Sequence, residues 1–130
     1  MAIKDLQAEP MMAHLIATLD GGNSIGHYGR LVFAMVARHF LEPEELIDYL
    51  DKDPEVDRDQ VESLVKQVEE RGYNPPKRER ILEWMGKQDF PICPDTGDRS
   101  QCNVYRNLEF PEDVYNRISE FYQGEQAQAA

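Results

Sequence analysis

The run Leu31 to Ala37, LVFAMVA, is the feature that most limits what this chain can fold into, because no polar side chain appears on any face of it. A helix that is apolar all round cannot lie half in water and must be enclosed by other elements. The longer stretch from Ser24 to Leu41 is therefore expected to be a central core helix around which the rest of the chain packs. A chain of 130 residues can enclose it within one domain without disulfides or a metal as staples.

The flanking segments supply a shell. Residues 1–9 read as a lead-in or a short helical turn, and Pro10 suits the first turn of a helix from about Met11 to Leu19. Met12, Leu15, Ile16 and Leu19 share one face of it, and Gly21-Gly22 ends it. Asn23 or Ser24 is placed to cap the central helix. Pro43 then opens a short helix with Leu46, Ile47 and Leu50 facing inward. Asp57 caps a longer one, which carries Val61, Leu64, Val65 and Val68 and ends at Gly72.

The Asn74-Pro75-Pro76 run blocks helix, and the next helix spans about Lys77 to Met85, with Ile81, Leu82 and Met85 on one side. Trp84 falls at the edge of the core, where it either packs or stacks on a ligand. Gly86 to Asn107 reads as an ordered loop anchored by Phe90, Ile92, Val104 and Tyr105. Pro111 begins a last helix through about Tyr122, and residues 124–130 read as a disordered tail. With no alternating strand pattern and no internal repeat, the expected fold is a single compact all-α domain over residues 1–123.

A net charge of −11 argues against indiscriminate nucleic-acid binding, which depends on Lys and Arg releasing counterions from phosphates. The charge is uneven. Residues 42–70 hold twelve acidic and three basic side chains, whereas Arg71, Lys77, Arg78, Arg80 and Lys87 form a local basic segment. His27 and Arg30, three residues apart at the start of the central helix, share a face where free N–H groups and the positive dipole end gather. That arrangement suits a phosphate; the plainer alternative is that Arg30 pairs with an acidic neighbour and His27 is a packing residue.

Cys93 and Cys102, in a chain without an export signal or an apolar run of membrane-spanning length, read as reduced thiols or ligands in a cytoplasmic protein. No Gly-rich phosphate loop, nucleophile with an evident base or zinc-hydrolase helix motif is present, so an enzyme is not expected.

The order of these pieces resembles the C-terminal, iron–sulfur domain of the large subunit of archaeal and eukaryotic DNA primase, over roughly residues 9–110. Glu9-Pro10-Met11 stands where that family has Pro-Pro-Cys opening a helix, and Gly21-Gly22 and His27-Tyr28-Gly29-Arg30 match its glycine turn and His-x-x-Arg helix start. Asp53-Pro54-Glu55-Val56-Asp57, Arg71-Gly72 and Tyr73-Asn74-Pro75-Pro76-Lys77-Arg78 follow in the family's order, then the two cysteines.

The resemblance implies a non-catalytic domain that helps a separate primase catalytic subunit by holding template and an initiating 5′-triphosphate. His27 and Arg30 stand at the matching positions, with Lys77 and Arg78 as adjacent basic candidates of this sequence. It also implies an iron–sulfur cluster on four thiolates, but Met11 and Arg78 occupy two of those positions, so no cluster is expected. Zinc at Cys93 and Cys102 with His14 or His39, or a cluster shared by two chains, are minor alternatives. The expected function is an accessory module binding nucleic acid or a nucleotide triphosphate in DNA replication, without a membrane. The alternative is a protein-interaction module that keeps the fold and meets a partner through its acidic surface.

Overall fold

The computed structural model describes residues 3–93 and 103–116, and among these every regular element is a helix. The chain opens with a short helix α1 (Ile3–Gln7) and continues into α2 (Pro10–Asp20). Glu9 caps α2: its buried carboxylate accepts the Met12 N–H at 2.8 Å, and Pro10 takes the first helical position, where a missing N–H costs nothing. At the far end Gly22 adopts φ +75°, and the N–H groups of Gly22 and Asn23 close back onto the carbonyls of Leu19 and Thr18. This left-handed closure is what the double glycine implied.

Helix α3 (Gly26–Ala37) is the centre of the fold and packs on α2, α4, α5 and α6. Val32, Phe33, Ala34, Val36 and Ala37 are fully enclosed, so the apolar run is buried as its composition required. Leu31 is only half-buried, which leaves one strip of the helix facing outward. The helix is shorter than the stretch from Ser24 to Leu41, since residues 38–41 form turns that lead to Pro43. Neither Asn23 nor Ser24 is its N-cap residue; that is Ile25, and Ser24 contributes by accepting the Gly26 N–H at 3.1 Å.

Helices α4 (Pro43–Leu50) and α5 (Arg58–Arg71) pack against each other and bury Leu46, Leu50, Val61, Val65 and Val68. Asp57 caps α5, accepting the Gln60 N–H at 2.8 Å while the Gln60 side chain accepts the Asp57 N–H, and Gly72 ends it in the left-handed conformation with φ 60°. Arg58 lies within 3.4 Å of carboxylates on Asp48, Asp51 and Glu62, which ties the acidic faces of α4 and α5 together.

Helix α6 (Arg78–Met85) follows the two prolines and buries Ile81 against α3. In the segment read as a loop, Ile92 and Val104 are buried as expected, but Val104 also begins a one-turn helix, α7 (Val104–Asn107). The Tyr105 hydroxyl donates to the Pro75 carbonyl and so fastens this turn to the two-proline run. Residues 112–116 are helical and bury Val114, in keeping with a helix begun at Pro111. The later part of that helix and the tail expected at 124–130 lie outside the described residues.

Candidate functional site

The start of α3 is filled by the protein's own groups. The turn between α4 and α5 carries Asp53, whose Oδ2 lies 3.0 Å from Arg30 Nη1 and accepts the Ile25 N–H at 3.1 Å. Its other oxygen accepts the Glu55 N–H at 2.9 Å, and the Ser24 hydroxyl is 3.0 Å from Oδ2. The Asp53 side chain is wholly buried and that of Arg30 is 10% exposed. Burial alone would push the Asp53 carboxyl up, but the N–H groups of Glu55 and Ile25, the Arg30 guanidinium and Ser24 together hold it below the usual aspartate range. Arg30 therefore has the acidic neighbour that the plainer reading of the sequence required.

Gln88 closes the same helix end from the opposite side. Its carbonyl oxygen accepts the Tyr28 N–H at 2.9 Å, and its amide nitrogen donates to the carbonyls of Ile25 and Phe90 at 3.0 and 3.1 Å. A neutral side chain here occupies part of the ground an anion at a helix N-terminus would use. Gly26 makes room for it. At φ +78°, a β-carbon on residue 26 would lie 2.5 Å from the Gln88 oxygen. Gly26→Ala is accordingly expected to cost about 1–2 kcal/mol in backbone strain. Each Gln88 hydrogen bond it displaces adds about 0.5–1.5 kcal/mol, readable as a lower urea midpoint.

Along α3 lie two adjoining clefts that share Gln67, the first beside α5 and the second beside α6. The first, of about 510 Å³, brings together His27 and Arg30 of α3 with Asp57, Asp59 and Leu64 from the α5 side. With Arg30 balanced by Asp53, the carboxylates of Asp57 and Asp59 leave this cleft net negative, which is unfavourable for a phosphate. The second, of about 690 Å³, has Leu31 and Met35 on its floor and Tyr73, Lys77, Arg80 and Trp84 around it. Glu79 and Glu83 also line it, so its four charges cancel.

The Trp84 ring stacks on Tyr28 with centroids 5.9 Å apart, and the Arg80 guanidinium carbon lies 5.9 Å from the Trp84 ring. Trp84 thus flanks the core and lines a cleft at once.

The four residues singled out as phosphate ligands are consequently separated. His27 and Arg30 share the first cleft, Lys77 lines the second, and Arg78, the first residue of α6, lines neither. Sequence reasoning missed Asp53 and Gln88, which fill the start of α3, and Gln67, which lies where the two clefts meet. The only signals for them were an Asp-Pro step and two glutamines among many polar residues.

The reading of Cys93 as a reduced thiol is corrected: its sulfur is in a disulfide and the residue is buried. Cys102 lies outside the described residues. The residues present do not fit a four-thiolate cluster, since Cys93 is already bonded and Met11 is fully enclosed in the apolar core. His14 stacks on Phe90, with centroids 5.1 Å apart, and its Nε2 is 2.8 Å from the Pro91 carbonyl. His39 meets Phe110 edge-on. Among the described residues no three His, Cys, Asp or Glu side chains gather as metal ligands, and no helix is long and apolar enough to cross a membrane.

No family model, curated protein or solved structure matches this chain. The resemblance to the primase domain therefore rests on the residues that suggested it, and the functional reading on the groove.

Proposed function

We propose that this chain is a non-catalytic protein-interaction module that takes a segment of a partner protein in the groove over α3. The observation that carries the reading is the contrast within that groove. Its candidate phosphate cation, Arg30, is already balanced by buried Asp53, while Leu31, Met35 and Trp84 offer an apolar floor with a charged rim. An apolar centre ringed by polar groups is the anatomy of a protein-binding surface, and Met and Trp are suited to its middle. The acidic faces of α4 and α5 favour a basic partner and speed its approach. The disulfide at Cys93 suits an oxidising compartment better than the reducing cytoplasm expected from the sequence.

A second reading is favoured by one observation: Lys77 and Arg80 stand beside Trp84 and Tyr73, a pairing of cations and rings on which a nucleic-acid base and its phosphate can be held. It corresponds to the primase-like accessory module, with a 5′-triphosphate and a catalytic subunit as partners.

Trp84, the single tryptophan, reports on both readings. Titration with single-stranded oligonucleotides bearing a 5′-triphosphate or a 5′-hydroxyl is expected to leave its fluorescence unchanged at low salt. Cross-linking from a probe at Gln67 is expected to trap a protein partner that Leu31→Ala releases. Tight, salt-sensitive binding that prefers the triphosphate would replace the first reading with the second.

A further inference from the structure

Resting on that groove reading, we infer that the partner segment is an amphipathic helix carrying Lys or Arg at the end that lies over Asp57 and Asp59. Three features of the groove lead there. The first is its shape: the floor runs along α3 from His27 to Met35, about 12 Å at 1.5 Å per residue, with α5 beside its His27 end and the 73–77 run and α6 beside its Met35 end. That is the place a further helix of two to three turns would take against α3.

The second is hydrogen bonding. The floor is the side-chain face of a helix, whose backbone groups are paired within it, and although short non-helical runs at 56–57 and 73–77 reach the rim, no strand edge is present among the described residues. An extended segment would bring unpaired N–H and C=O groups onto an apolar floor, whereas a helix satisfies its own. The third is charge. The two ends of the groove differ: Lys77, Arg80, Glu79 and Glu83 cancel at the Trp84 end, while Asp57 and Asp59 leave the His27 end negative once Arg30 is balanced by Asp53. Exposed Glu55, with its carboxylate 3.9 Å from Arg30, adds to the same sign. A basic end on the occupant therefore fixes which way it lies, because reversal would take its cations away from the carboxylates.

The test is selection from a displayed library of linear peptides, randomised at every position and free to be helical or extended, against the intact protein with its disulfide oxidised. Recovered peptides are expected to carry an apolar stripe at helical spacing with Lys or Arg concentrated at one end, and to weaken as salt rises. Gln67 is exposed and lies where the two clefts meet, so Gln67→Arg blocks the groove without touching the core and is expected to weaken them about ten-fold or more. Asp59→Lys, also at an exposed position, is expected to weaken the basic peptides up to about five-fold and to spare variants with glutamate at that end.

Proline-rich or extended peptides that Gln67→Arg still displaces would overturn the helical partner and leave the groove reading standing. Helical peptides with no basic end, or indifferent to Asp59→Lys, would overturn it equally. If no recovered peptide depends on Gln67, the groove reading itself falls.

Discussion

Asp53→Ala is expected to cost about 3–5 kcal/mol of folding stability, because it leaves the Arg30 guanidinium buried without its counter-charge. The same substitution removes acceptors from the N–H groups of Ile25 and Glu55, so the start of α3 and the turn before α5 lose their common anchor. Arg30→Ala strands the Asp53 carboxylate and is expected to fall in the same range. Arg30→Met combined with Asp53→Asn removes both charges at similar volume while keeping an amide oxygen as acceptor at position 53, and is expected to recover part of the loss.

Acid makes an independent check. The folded-state pKa of Asp53 is held below its unfolded value, so the stability it contributes is fully present above the ordinary aspartate range and lost as pH falls through the lowered value. Urea midpoints should therefore drop on acidification more steeply for the wild type than for Asp53→Asn. Should Arg30→Ala leave the midpoint unchanged and instead abolish oligonucleotide binding, Arg30 would be a ligand residue and the nucleic-acid reading would take over.

Why the sequence disclosed the helices and not the groove comes down to which physical signals are local. Periodicity, glycine closure and capping act within a few residues. Pro10, Gly22, Asp57 and Gly72 accordingly mark the ends of α2 and α5 where the chain itself places them. The burial of Val32 to Ala37 was legible for a similar reason, since an unbroken apolar run has no solvent-facing alternative.

Asp53 was illegible because it is one of twelve acidic residues in a stretch of 29, all of which suit a solvated surface. Only the packing of α4 on α5 carries this carboxylate inward to Arg30, 23 positions away along the chain. Gln88 is hidden further still, reaching Tyr28 across 60 positions. The isolated spacing of His27 and Arg30 fits a phosphate site as well as the plainer and commoner internal ion pair, and nothing nearer than Asp53 distinguishes them.

Helix α3 itself supplies the second large effect. Phe33 is fully enclosed and sits near the Tyr49 ring, with centroids 6.3 Å apart. Phe33→Ala empties a site bounded on all sides, and the transfer loss and residual cavity together are expected to cost about 3–5 kcal/mol. Leu31, two residues away, is half-buried and lines the groove, so it points to the one strip of the helix that nothing in the described chain covers. Leu31→Ala removes less enclosed surface and is expected to cost about 1 kcal/mol.

Binding should reverse the ranking. A partner seated on Leu31, Met35 and Trp84 would lose about ten-fold or more in affinity with Leu31→Ala, as an apolar contact at the centre of an interface does. Phe33→Ala, measured where the protein remains folded, should bind nearly as the wild type does, because Phe33 faces away from the groove. Urea midpoints and peptide affinities measured on the same two variants separate the roles. If both substitutions lower stability alike and neither alters binding, α3 is a core helix on every face and the groove above it holds no partner.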